Sequence, residues 1–63
     1  MNRVLEVLLE KVRDDLAARR NAMADGQCAS FEQYKELAGT IRGLVIAERH
    51  ITDLARNMDE DND

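Results

Sequence analysis

Apolar residues recur along this chain with the period of a helix, in two runs split by one polar stretch. In residues 2–25, NRVLEVLLEKVRDDLAARRNAMAD, one stripe holds Leu5, Leu8, Leu9, Val12, Leu16 and Met23. Their three- and four-residue spacings are those of an amphipathic helix. Arg19 falls on the same stripe near its end. From residue 31 onward Tyr34, Ile41, Glu48 and Ala55 form one heptad register. Leu37, Leu44, Ile51 and Met58 form the other, and Ala38 and Val45 widen the seam. Between the runs lies ADGQCAS, residues 24–30.

The punctuation agrees with the periodicity. Asn2 is a good N-cap, and Gly26 suits the left-handed position just past a helix end. Ser30 opens the second run as an N-cap, and SFEQ reads as a capping box with Gln33 as its return arm. The pattern predicts an all-α, antiparallel helical hairpin: a helix over about 2–25, a loop over 26–30 and a helix over about 31–58. Residues 59–63 form an acidic tail, and acids at a helix C-terminus oppose its dipole, so the last turn is expected to fray. The arms would be roughly 35 to 42 Å long. Zipped together, the stripes bring Met23 near Tyr34, Leu16 near Ile41 and Leu5 near Ile51.

Two glycines do not fit a plain hairpin. Gly39 and Gly43 lie inside the second helix, where each costs about 1 kcal/mol relative to alanine. At about 100° per residue they point nearly opposite the Ile41/Leu44 seam. Ile46, Ala47, His50 and Leu54 share that back side. Small residues four apart let two helix backbones approach closely, and the first helix cannot cover both faces. The expected interface is therefore Gly39, Gly43, Ile46, Ala47, His50 and Leu54. The competing reading is that the glycines are tolerated, or ease a bend in a long helix.

Size favours the first reading. A chain of 63 residues makes one thin domain, and cores this small usually need a disulfide, a metal or a partner chain. Cys28 is the single cysteine and His50 the single histidine, which leaves association, either with copies of itself or within a larger assembly. No apolar run approaches the 18 or so residues of a membrane span, and the N-terminal segment lacks the pattern of a signal peptide. The expectation is a soluble, intracellular chain.

The net charge of −4 resides in Asp59, Glu60, Asp61 and Asp63, since residues 1–58 hold nine acids and nine bases. A neutral body with an acidic tail argues against nucleic-acid binding. Within the body, Lys35, Arg42, Arg49 and Arg56 recur every seven residues as a basic ridge. The ridge is either a solvated flank answering Glu6, Glu10 and Asp14, or a grip for an acidic strip on a neighbouring subunit.

Candidate chemistry is sparse. No nucleophile–base pair, phosphate loop or metal motif occurs, so neither an enzyme nor a cofactor is expected. Glu48, a carboxylate in a seam position, either fixes register as buried polar residues do in coiled coils or swings to the rim to meet Lys11. His50 reads as interfacial or exposed, without a co-ligand at helical spacing. Cys28 has no adjacent base to activate it, and Arg19–Arg20 lack the aromatic support of a nucleic-acid site.

YKELAGTIRGLVIAERHITDL, residues 34–54, together with the preceding ADGQCASFEQ, resembles a pattern in small α-hairpin proteins encoded among the virion-structure genes of tailed bacteriophages. The tyrosine, Gly39-Thr40-Ile41-Arg42-Gly43-Leu44, the Ala47–Glu48 pair and the closing Asp53–Leu54 carry the likeness, which covers about half the chain. It implies a non-enzymatic component of the phage particle, at the capsid surface or the head–tail connector, hence a virion location after assembly in the host cytoplasm. The alternative is a small regulatory binder that inhibits a host nucleic-acid enzyme, its acidic tail mimicking phosphates.

Overall fold

Asn2 starts the first helix. Its Oδ1 accepts from the backbone N–H of Val4 at 2.7 Å and of Leu5 at 3.4 Å, satisfying donors that have no partner inside the helix. The computed structural model describes residues 2–61, and side chains for residues 2–58. It contains two helices, α1 (Arg3–Ala24) and α2 (Phe31–Asp61), packed against each other as an all-α hairpin.

The turn is built by two local motifs. Gly26 has φ +74°, the left-handed conformation that a side chain disfavours. Its N–H bonds to the Met23 carbonyl at 3.3 Å, and the Gln27 N–H to that of Ala22 at 3.1 Å. This pair of bonds is a Schellman motif. The chain then re-enters helix at Ser30, whose Oγ accepts from the Gln33 N–H at 3.1 Å. The return arm of the capping box differs from the expectation. Gln33 Oε1 accepts from the N–H of Ala29 at 2.8 Å, one residue before the cap, and so ties down the loop just ahead of Ser30.

α2 also runs further than its apolar pattern predicts, to Asp61 rather than Met58. No proline or glycine follows Met58 to stop it, and the acids there, although they oppose the dipole, do not end the helix. The side chains of Asp59, Glu60 and Asp61, and all of Asn62 and Asp63, lie outside the described residues, as does any contact of the acidic tail.

The core is thin. Among the described residues only Leu9, Leu16 and Ala55 are buried. Leu37, Ile41, Leu44, Val45, Ile51 and Thr52 line the seam half-buried. Two residues expected in that seam lie outside it, Leu8 at 44% exposure and Tyr34 at 46%. Both sit at the rim of a seam that only one opposing helix covers, so its edges remain wet. The molecule measures 50 × 15 × 13 Å with a radius of gyration of 14.7 Å, against roughly 11 Å for a compact domain of this length. Its accessible surface is 4886 Å², where a compact monomer of this mass shows about 4,100 Å². The hairpin thus retains surface that a completed bundle would hide.

Leu16→Ala is expected to cost about 3 kcal/mol, since Leu16 is one of three buried residues; Gly26→Ala should cost about 1 kcal/mol through backbone strain. Urea denaturation followed by circular dichroism measures both, and the order of the two effects is the prediction.

Candidate interaction surface

The side of α2 turned away from α1 is assembled by helical geometry alone. Gly39, Gly43, Ile46, His50 and Leu54 fall within roughly an 80° arc, with Ala47 at its edge. Ile46 is 44% exposed and Leu54 51%, and Gly39, Gly43 and His50 are exposed as well. Ala47 is half-buried, so it belongs as much to the flank of the seam as to the outer face.

The glycines gain meaning from what surrounds them. Neither has positive φ, and a Cβ built on either would meet nothing within 4 Å. Within the chain, then, neither backbone conformation nor crowding calls for glycine at these positions. α2 nevertheless runs unbroken through both, at about 1 kcal/mol each in lost helix propensity. The outcome is a smooth strip of backbone, with Ile46 and Leu54 projecting beside it.

The charged flank departs from one expectation. Among the described residues the ion pairs are Arg13–Glu48 at 2.9 Å and Arg19–Asp15 at 3.0 Å. None of Lys35, Arg42, Arg49 and Arg56 is paired with Glu6, Glu10 or Asp14 among them; all four ridge cations are exposed. Glu6, Glu10 and Asp14 instead line a surface depression of about 400 Å³ on α1, together with Arg3, Leu9 and Arg13. The depression offers charge of both signs.

Glu48 takes the rim option, with a different partner from the one expected. Its Oε2 accepts from Arg13 Nε, not from Lys11. The pair links the two helices across the seam with Glu48 at 27% exposure. A pair this open to water contributes under about 1 kcal/mol, so its role is to keep a seam carboxylate hydrated and matched. Arg19, placed on the apolar stripe by spacing, turns back to Asp15 one helical turn earlier.

The aromatic residues lie where the apolar pattern did not place them. Phe31 is 72% exposed, and its ring stacks on that of Tyr34 with centroids 6.4 Å apart and planes 17° from parallel. Lys35 Nζ stands 5.6 Å from the Phe31 centroid. Phe, Tyr and Lys at i, i+3 and i+4 are neighbours on a helix surface, and that spacing was the available signal. Cys28 in the loop is a free, half-buried thiol.

No known family, curated protein or solved structure matches the chain. No helix among the described residues is long and apolar enough to cross a membrane.

Gly39→Ala and Gly43→Ala should each stabilise the dilute hairpin by about 0.5–1 kcal/mol, because the added methyl enters open space. Chemical denaturation at low protein concentration checks this; destabilisation by either would reveal an intrachain need for glycine.

Proposed function

We propose that this protein is a non-enzymatic structural component that docks into a larger protein assembly through the outer face of α2. Gly39, Gly43, Ile46, Ala47, His50 and Leu54 form the docking surface. One observation carries the reading: the open space at Gly39 and Gly43, two helix-weakening residues in register beside exposed Ile46 and Leu54. A partner backbone seated on that strip would give the glycines a purpose that the hairpin itself lacks.

The finer placement is a phage particle, at the capsid surface or the head–tail connector. It rests on the resemblance of residues 34–54 to phage virion-structure hairpins. That segment contains both glycines and three of the four ridge residues, Lys35, Arg42 and Arg49, so likeness and docking surface concern the same stretch of α2. The ridge of Lys35, Arg42, Arg49 and Arg56 would then border the interface and set orientation, as rim charges do.

Gly43→Leu separates docking from folding. The variant should retain the helicity of the hairpin in circular dichroism, because position 43 faces open space, and it should be missing from assembled particles analysed by quantitative mass spectrometry. Undiminished incorporation contradicts the assignment of this face.

A further inference from the structure

We infer that the occupant of the outer face of α2 is an amphipathic helix of a different protein, carrying a row of Asp or Glu side chains seven residues apart. The inference rests on the docking reading and adds the chemistry of the partner.

The basic ridge supplies the argument. Lys35, Arg42, Arg49 and Arg56 recur every seven residues, so they stand about 10.5 Å from one another along about 30 Å of helix. All four are exposed, and Lys35, Arg42 and Arg49 make no ion pair among the described residues. The row runs beside Gly39 and Ile46 on one flank of the outer face. Within residues 31–58, the arc of about 60° that holds it contains a single acid, Asp53. On a straight helix a seven-residue row drifts by about 20° per repeat. A second helix crossing at about +20° follows the same path, so the ridge can border such a helix over its whole length.

A second copy of this chain does not answer the row. Laid antiparallel on this face, two copies bring their ridges to the same side of the contact. Four cations from each copy then meet one acid, Asp53, from each. Laid parallel, each ridge faces the opposite flank of the other copy. That flank holds acids only at its start, Glu32 and Glu36, level with Lys35 and leaving the three arginines unanswered. The acids of α1 fit no better. Glu6, Glu10 and Asp14 are four residues apart and span about 12 Å, enough for two ridge cations at most. Like charges set face to face reject a wrong partner. The ridge therefore selects against copies of this chain and for an acidic row of matching period.

The neighbouring apolar residues decide what carries that row. Ile46 and Leu54 are 44% and 51% exposed on the same face, and the space above Gly39 and Gly43 is open. A phosphate backbone has charge to offer but no apolar surface. An amphipathic helix presents apolar and acidic rows at a fixed offset, as the flanking charges of coiled coils do.

Fluorescence anisotropy with the full chain at low salt tests the pairing. The probes are two labelled peptides of four heptads with identical leucine rows, one with glutamate and one with glutamine at every flanking position. The glutamate peptide should bind about tenfold tighter, the worth of three exposed ion pairs, and high salt should shrink the advantage. The chain is net negative, so a preference for glutamate reports a local basic surface. The double variant Arg42→Glu/Arg49→Glu should reverse that preference while circular dichroism shows its helices intact. Equal affinity for the two peptides, a variant that keeps the parent's preference, or no binding of either peptide up to millimolar concentration overturns the acidic partner. Tighter binding of a DNA duplex than of the glutamate peptide overturns it too, and makes the ridge a phosphate contact. A reversible dimer of the parent chain that Gly43→Leu abolishes overturns a different protein as occupant. The docking reading survives each of these results, because it stands or falls with the loss of Gly43→Leu from particles.

Discussion

A pair of helices can bury only the stripe each turns toward the other, and that constraint governs this molecule. α1 brings Leu9 and Leu16 to the seam, and α2 closes it with Ala55. Among the described residues every other apolar side chain keeps some contact with water, which for a hairpin 15 Å by 13 Å in section is a matter of geometry. Neither a disulfide nor a second layer within the chain compensates, since Cys28 is the sole cysteine. Hydrophobic stabilisation scales with area removed from water, so one seam supplies only a limited share of it.

The glycines sharpen this constraint. A hairpin selected only for its own stability would carry alanine at 39 and 43, where a methyl group fits and helix propensity improves. Retaining glycine lowers the stability of the free chain and flattens the outer face of α2. The two effects together suit a protein whose helix is completed on docking. Polar groups follow a similar division. Arg13–Glu48 and Arg19–Asp15 settle charges near the seam, whereas the ridge from Lys35 to Arg56 is left facing water. Charges at the rim of an interface steer and orient a partner more than they add affinity.

Much of the fold was legible in the sequence because its signals are local. Asn2, Gly26 and Ser30 act through hydrogen bonds that span at most five residues, and the heptad rows follow from helix geometry. What was less legible depends on distance. Leu8 and Tyr34 match the apolar period, yet whether a rim position is covered depends on the width of the opposing helix. Spacing nominates Lys11 as the rim partner of Glu48; the relative offset of the two helices gives it Arg13 instead. The end of α2 was placed where the apolar pattern ends, but helical backbone continues while no breaker intervenes. For the outer face, spacing identifies Gly39, Gly43, Ile46, Ala47, His50 and Leu54 as neighbours, and only the structure reveals that, among the described residues, none occupies the space beside the glycines.

The claim that this hairpin is incomplete by itself is tested most directly by equilibrium urea unfolding of the purified chain. The account predicts a marginal fold, below about 3–5 kcal/mol. Stability well above about 5 kcal/mol would contradict it.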